Sequence, residues 1–194
     1  MPAPGHLERV AGDQLADDLK SQIEPWTGPI SGRESFIFVS PPRAYTPYHY
    51  DPEQNFFLQL RGQKQMAIYD VANREILPET ALETYYSQGQ KVTNCPAALF
   101  DQHELFDMQP GDGVYVPVTA PHWVRTMDDI SISISINFRT PSSVRRDRVY
   151  RVNSMMRKAG LRPTPVSAQA DSFADRTKSS LLGLPARMKK IAHR

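Results

Sequence analysis

The stretch "DISISISINF", residues 129–138, alternates apolar and polar side chains over almost its whole length. Successive side chains of a strand point to opposite faces, so this period of two predicts a β-strand and excludes a helix, whose period is 3.6. The serine face is commonly the solvent face of such a strand, but inside a barrel it could line a cavity, and the alternation leaves both open. One face carries Ile130, Ile132, Ile134 and Ile136, and the other carries Ser131, Ser133, Ser135 and Asn137.

Four further stretches, separated by Gly and Pro turns, predict short strands: "SFIFVS", "NFFLQL", "KQMAIYD" and "VYVPV". Helices are predicted for "PETALETYYSQ" and, near the two ends of the chain, for residues 13–24 and 142–159. Many short strands with few helices favour a β-sandwich or a barrel. We therefore expect an N-terminal helix and loop over residues 1–35, a β-barrel over 36–140, and a basic helical C-terminal segment over 141–194 that is partly flexible.

Cysteine content and hydropathy bear on the compartment. The single cysteine, Cys95, excludes an internal disulfide, so nothing in the 194 residues requires an oxidising environment. The first residues, "MPAPGHLERVAGDQ", lack the apolar core of a signal peptide, and no apolar run reaches the length of a membrane span. These features predict a cytoplasmic location and no membrane partner.

The charge is divided unevenly along the chain. Residues 1–138 carry nine Lys and Arg against 18 Asp and Glu, whereas residues 139–194 carry 14 against three. A basic end of this kind is either a solvated segment or a surface for an acidic partner. Its basic residues are not interleaved with aromatic ones as in single-strand binders, which disfavours nucleic acid as the partner.

The pair His49 and Asp51 offers an imidazole nitrogen and a carboxylate oxygen on one face of the chain, a combination that suits a divalent metal. The H-x-D pattern is weak alone, because it also arises by chance at the junction of a loop and a strand. A third ligand could come from His122, which follows the predicted strand "VYVPV" and the turn "PGDG". Two histidines and one carboxylate form the facial triad of non-haem iron(II) oxygenases.

Lys64 lies on the same side of its predicted strand as Met66 and Ile68. A lysine on an apolar face is costly unless an anion meets it, although a residue at a strand start can also reach water. A dicarboxylate with one end on the metal would supply such an anion.

Taken together, "TPYHYDPEQNFFLQLRGQKQMAIYD", "PGDGVYVPVTAPHWV" and "SISINF" resemble the Jumonji C and cupin-like 2-oxoglutarate oxygenases over roughly residues 36–140. The similarity is closest to the subgroup that contains the asparaginyl hydroxylase inhibiting hypoxia-inducible factor. It implies a mainly β double-stranded β-helix with flanking helices, in which the serine face lies inside. One departure is Arg139, which stands where that hydroxylase has a tryptophan.

The resemblance also implies roles for single residues. His49, Asp51 and His122 would be the iron ligands at the catalytic centre. The residues near 2-oxoglutarate would be Thr46 and Lys64, on its far carboxylate, together with Asn55 and Asn137.

The implied activity is hydroxylation of a C–H bond with Fe(II), dioxygen and 2-oxoglutarate, and the expected partner is a protein or peptide substrate. Three alternatives stay open: an oxygenase acting on a small metabolite or a modified nucleoside, a non-catalytic metal-binding cupin with a regulatory role, and a metal-dependent cupin isomerase. The basic C-terminal helix could pack on the barrel or form a homodimer, as C-terminal helices do in related hydroxylases.

Overall fold

The computed structural model describes residues 20, 23–25, 27–90, 94–168 and 170–182. The predicted helix over residues 13–24 lies largely outside this part, although residues 20 and 23–25 are helical. None of the helices in the described ranges is long and apolar enough to cross a membrane. The strands are β1 Ser31–Ser40, β2 Tyr45–His49, β3 Gln54–Arg61, β4 Lys64–Tyr69, β5 His103–Met108, β6 Gly113–Val116, β7 His122–Thr126 and β8 Ser131–Arg139. The helices are α1 Glu79–Gln88, α2 Pro141–Lys158 and α3 Phe173–Leu181, with a 3₁₀ turn at Ala97–Leu99.

The strands form two four-stranded antiparallel sheets with the orders β1-β8-β3-β6 and β2-β7-β4-β5. Most neighbours in each sheet are not consecutive in sequence, because the chain crosses repeatedly from one sheet to the other. This arrangement is the double-stranded β-helix, and it confirms the predicted mainly β fold class. The tight turn from β3 to β4 needs Gly62, whose φ is 68° and where an added Cβ would lie 2.4 Å from the Ile130 carbonyl oxygen.

The space between the two sheets is apolar in its middle and polar along one wall. Phe57, Met66, Met108, Val116, Ala120 and Val124 form the apolar cluster. In the register of β3 with β8, Phe57 lies opposite Ser135 and Gln59 lies opposite Ser133, so the serines of β8 share the inward face. Ser131 and Ser133 are fully buried and Ser135 is 3% exposed. The serine face therefore lines the interior, as the resemblance implied.

A second core lies where α1 and α2 pack on the stretch that follows β2. Tyr50, Leu82, Val149 and Tyr150 are fully buried there, and the rings of Tyr86 and Tyr150 stack with centroids 5.4 Å apart. This burial anchors the backbone between His49 and Asp51. The C-terminal helix thus packs its apolar residues Val149 and Val152 inside its own chain, with Met155 left half exposed.

Two elements were not predicted from the sequence. The stretch around His103 was not among the predicted strands, but it forms the edge strand β5 by pairing with β4. Residues 173–181, in the C-terminal segment that was expected to be partly flexible, form α3. That helix is fixed by a capping box between Ser172 and the fully buried Asp175, whose carboxylate also accepts a hydrogen bond from Ser167 Oγ.

We expect Leu82→Ala to destabilise the protein by about 2–5 kcal/mol, because it leaves a cavity in the core that supports the His49–Asp51 stretch. Chemical denaturation followed by circular dichroism measures the change. Met155→Ala removes a side chain that is 52% exposed, and it should stay within about 0.5 kcal/mol of the parent. Equal stabilities for the two variants would contradict the assignment of this core.

Candidate metal centre

The pairing of β2 with β7 places His49 directly opposite His122, with ring centroids 4.2 Å apart. Asp51 follows β2, and its carbonyl oxygen accepts a hydrogen bond from the Thr119 backbone amide at 2.8 Å. Its carboxylate Oδ2 lies 3.7 Å from His49 Nε2 and 3.9 Å from His122 Nε2. The structure thus brings together the three residues that the sequence predicts as metal ligands.

Both imidazole rings are oriented by backbone carbonyls. His49 Nδ1 lies 2.8 Å from the Pro47 oxygen, and His122 Nδ1 lies 3.0 Å from the Ala120 oxygen. A carbonyl only accepts, so each Nδ1 carries a proton, and in the neutral imidazole Nε2 then keeps its lone pair. The lone pairs therefore belong to the nitrogens on the Asp51 side, as a metal site requires.

The donor set fits a divalent cation. One suitable atom from each of the three residues lies within 4.8 Å of the others. Bonds of about 2.1 Å place neighbouring ligands of an octahedral ion about 3 Å apart. The distances of 3.7 and 3.9 Å from Asp51 Oδ2 to the two Nε2 atoms therefore need to shorten by about 1 Å or less. His122 is almost fully buried, whereas the side chains of His49 and Asp51 are 24% and 31% exposed. The site is therefore walled on one side and accessible on the other.

Lys64 is buried in the interior, with 4% of its surface exposed. Its ammonium donates to Ser133 Oγ at 2.8 Å and lies 5.2 Å from the centre of the Phe57 ring. Burial lowers the pKa of this ammonium to about 8, and no carboxylate among the described residues opposes the effect. A buried ammonium of this kind is stabilised by a bound anion.

The other predicted cosubstrate residues differ in their surroundings. Asn55 lies opposite Asn137 on β8; it is buried, and its Oδ1 has no hydrogen-bond partner among the residues that the structure describes. Asn137 is half-buried and accepts from Ser135 Oγ at 3.0 Å. Thr46 lies opposite Val124 and is exposed. The two asparagines therefore form part of the interior wall, whereas Thr46 lies on the solvent-accessible side.

An ion pair continues the inward face of β3 and β8 beyond the asparagines. Arg139 donates from Nε and Nη2 to Glu53 Oε1 at 3.1 and 2.5 Å, and Glu53 lies two residues after Asp51. The pKa of the Tyr85 hydroxyl on α1 is raised, first by burial and then by the charges of Asp51 and Glu53. This rim therefore carries a charged pair.

The similarity to a known protein family extends over all eight strands of the barrel. A family model described as "JmjC domain" matches residues 14–145, more than half of the chain. The chain belongs to the JmjC domain family. In this JmjC domain, His49, Asp51 and His122 lie together on two paired strands of the second sheet and the loop that follows β2.

Two curated proteins are similar to this JmjC chain. Lysine-specific demethylase 8 of Xenopus tropicalis is 29% identical over 133 residues, which are 66% of this chain and 26% of that protein. tRNA wybutosine-synthesizing protein 4 of Gibberella zeae is 28% identical over 130 residues, which are 64% of this chain and 12% of that protein. The chain thus spans about a quarter or less of the length of these relatives.

Two solved structures are partly similar to this chain. A RmlC-like cupin with a double-stranded β-helix fold from Methanocaldococcus jannaschii covers 56% of this chain and 72% of its own, at 15% identity and a TM-score of 0.37. A DMSP lyase from Ruegeria pomeroyi covers 54% of this chain and 37% of its own, at 17% identity and a TM-score of 0.36. The fold assignment rests on the sheet order and the JmjC match.

Ser133 is an interior residue to which the sequence assigned no role. It contacts Lys64, although 69 positions separate the two residues and they lie on different sheets. The alternating serines were the only signal for it, and that signal left open which face points inward. The contact follows from the register of β8 between β1 and β3, which local sequence does not specify.

Proposed function

We propose that this JmjC chain is an Fe(II)- and 2-oxoglutarate-dependent oxygenase that hydroxylates a C–H bond of a protein or peptide side chain. The observation that carries the proposal is the pairing of two features in one barrel. Two histidines and a carboxylate converge at its accessible side, and a buried lysine without a carboxylate partner among the described residues points into its interior. The first feature suits iron, and the second suits the far end of a dicarboxylate.

Each residue of the centre has a separate task. His49, Asp51 and His122 would hold the metal with one negative charge and two neutral nitrogens, which leaves three positions for exogenous ligands. The carbonyls of Pro47 and Ala120 keep both Nε2 atoms in the binding tautomer. Bound iron and 2-oxoglutarate supply the oxidising chemistry, in which decarboxylation to succinate and carbon dioxide accompanies transfer of one oxygen atom from dioxygen to the substrate.

Cosubstrate binding would be divided between the metal and the barrel interior. Lys64 would meet the distal carboxylate, with Thr46 contributing from the accessible side. Asn55, whose buried Oδ1 lacks a partner within the described ranges, and Asn137 would contact the molecule along its length. The apolar cluster around Phe57 and Met66 would exclude water from the reacting groups.

The substrate class is inferred from similarity and from the contacts of the basic C-terminal segment. The proteins similar to this chain are named for a demethylase specific for lysine and for synthesis of a modified tRNA base, so both protein and RNA substrates occur among their names. We favour a protein or peptide, through the resemblance to the asparaginyl hydroxylase subgroup. In the basic segment, Arg157 pairs with Glu83, and Arg145 and Arg146 donate to backbone carbonyls near Ala170. These cations are engaged within the chain, which disfavours RNA as the substrate. A cytoplasmic location and a homodimer through α2 stay predictions.

A non-catalytic cupin that only binds a metal is the competing hypothesis. In such a protein, a lysine buried in the barrel interior would only lower the stability, since burying a cation without an anion is unfavourable. Retention of Lys64 together with the three metal-binding side chains therefore favours the oxygenase.

Release of succinate tests the proposed function. The protein with Fe(II), ascorbate and 2-oxoglutarate in air should form succinate, because the proposed chemistry decarboxylates 2-oxoglutarate. His122→Ala should form at least about tenfold less, since it loses one metal ligand and its transition-state contribution. Pools of peptides and of modified nucleosides, added separately, should then show which class accelerates the reaction. Equal succinate from both proteins, with every pool, would contradict the proposal.

A further inference from the structure

Four tyrosine rings form a continuous stack that begins beside the metal ligands. Tyr50 lies in the chain between two of those ligands, and its side chain is fully buried in the second core. The ring centroids of Tyr50 and Tyr85 are 5.1 Å apart. Those of Tyr85 and Tyr86 are 5.2 Å apart, and the ring of Tyr86 stacks on that of Tyr150 at 5.4 Å. Rings at these distances are in contact, so the tyrosine stack runs without a gap from the metal centre to α2.

The far end of the tyrosine stack has a proton acceptor. The Tyr150 hydroxyl donates to Glu79 Oε1 at 3.3 Å, and Arg74 Nε lies 2.7 Å from the same oxygen. Both groups donate, so Glu79 accepts as a carboxylate. Its side chain is 17% exposed and therefore reaches water, whereas Tyr150 is fully buried.

The third ring of the stack has no such acceptor. The Tyr86 hydroxyl is buried and lacks a hydrogen-bond partner among the residues that the structure describes. A tyrosine that loses an electron becomes a strong acid and gives up its phenolic proton where an acceptor is in contact. Tyr86 can therefore pass an electron on, but Tyr150 is the ring at which the loss of an electron and of a proton can occur together.

We propose that the tyrosine stack supplies an electron to the iron centre when dioxygen has been activated there without a substrate. Tyr150 gives up one electron, which passes along the rings and reduces the oxidised iron centre by one electron, and its proton moves to Glu79 Oε1. A reductant such as ascorbate then returns the electron to Tyr150, and Glu79 returns the proton. The inference rests on the proposed function and goes beyond it, since it gives the second core a protective role for the metal ligands.

Electron paramagnetic resonance tests the electron transfer. The Fe(II)-loaded protein with 2-oxoglutarate, but without substrate or ascorbate, is mixed with oxygenated buffer and frozen after a series of times. The parent should develop a tyrosyl radical signal, and protein made with ring-deuterated tyrosine should show a narrower signal, which identifies the radical as a tyrosine. Succinate is measured in the same samples.

Two variants that keep the shape of the stack locate the radical. Tyr150→Phe retains the ring contact with Tyr86 but lacks the hydroxyl that donates to Glu79, and it should lose the signal. Tyr86→Phe interrupts the stack with a ring that is much harder to oxidise, and it should lose the signal as well. Peptide mass spectrometry after repeated turnover should find more oxygen added around the metal ligands in both variants than in the parent.

Tyr115→Phe is the matched control, because Tyr115 of β6 contacts Phe56 and is not part of the stack. It should keep the signal of the parent. Succinate without a tyrosyl signal in the parent would overturn the inference and leave the proposed function intact. The same conclusion follows from a signal that persists in Tyr150→Phe or disappears in Tyr115→Phe. A parent that forms neither succinate nor the radical would overturn the proposed function together with the inference.

Discussion

Asp51→Ala is expected to abolish binding of Fe(II) at micromolar metal. The Asp51 carboxylate is the one charged member of a donor set whose other members are neutral imidazoles, so its removal leaves two nitrogens on adjacent strands. A metal titration under anaerobic conditions, with bound iron measured after gel filtration, gives the affinity. We expect a loss of more than about a hundredfold, because the largest electrostatic contribution to binding disappears.

Asp107→Ala is a suitable control for this experiment. Asp107 is an exposed carboxylate on β5 of the same sheet and accepts a hydrogen bond from Gln65. Its removal changes the net charge by the same amount and should leave iron binding as in the parent. Parent-like iron binding by Asp51→Ala would show that the metal, if bound at all, lies elsewhere.

Lys64→Ala is expected to weaken 2-oxoglutarate binding about ten- to a hundredfold, since a charge-assisted contact of this kind contributes roughly 1.5–3 kcal/mol. Metal affinity should barely change, because the lysine is not a ligand. Lys64→Arg should also bind more weakly, as a planar fork on a longer stem does not fit a space that Phe57 and Ser133 close around an ammonium. Calorimetric titration of the Mn(II)-loaded variants measures these affinities.

The pH dependence of cosubstrate binding provides an independent check on Lys64. Burial lowers the pKa of its ammonium to about 8, so in the free protein the charge is present below that pH and lost above it. An anion binds to the charged form, and the affinity for 2-oxoglutarate should therefore fall by about tenfold between pH 7 and pH 9. The groups nearest to the ammonium do not titrate in this range, since they are Phe57, Ser133 and the strand neighbours Met108 and Thr126.

The matching variant removes this dependence. Lys64→Ala should bind 2-oxoglutarate with an affinity that changes little between pH 7 and pH 9, because no group near the distal carboxylate then loses its charge. Parallel pH profiles for parent and variant, or equal affinities in the parent, Lys64→Ala and Lys64→Arg, would remove Lys64 from the cosubstrate site.

The sequence predicted the parts of this molecule that depend on local pattern. The alternation in residues 129–138 predicted β8, and the spacing of His49 and Asp51 predicted a shared direction, because both depend on geometry within one strand. The direction of the serine face depends on how β8 pairs with β1 and β3, and a single strand carries no information on its partners. The resemblance to known oxygenases supplied that direction.

Other features could not be predicted from the sequence, because they arise from long-range contacts or from segments of mixed composition. β5 reads "HELFDM", with charged residues at a sheet edge, and its strand conformation comes from pairing with β4. The exposure of Thr46 and the ion pair of Arg139 with Glu53 depend on the placement of strand ends in space. These tertiary effects are the ones that sequence patterns specify least.

The most direct measurement of the central claim is an anaerobic titration of 2-oxoglutarate into the Fe(II)-loaded protein, followed by visible absorption. Chelation of Fe(II) by a 2-oxo acid gives a metal-to-ligand charge-transfer band, so one signal reports the metal and the cosubstrate together. We predict a saturable band in the parent, the same band at higher 2-oxoglutarate concentrations in Lys64→Ala, and no band in Asp51→Ala. Absence of the band in the iron-loaded parent at millimolar 2-oxoglutarate would contradict the assignment of this JmjC domain as a 2-oxoglutarate oxygenase.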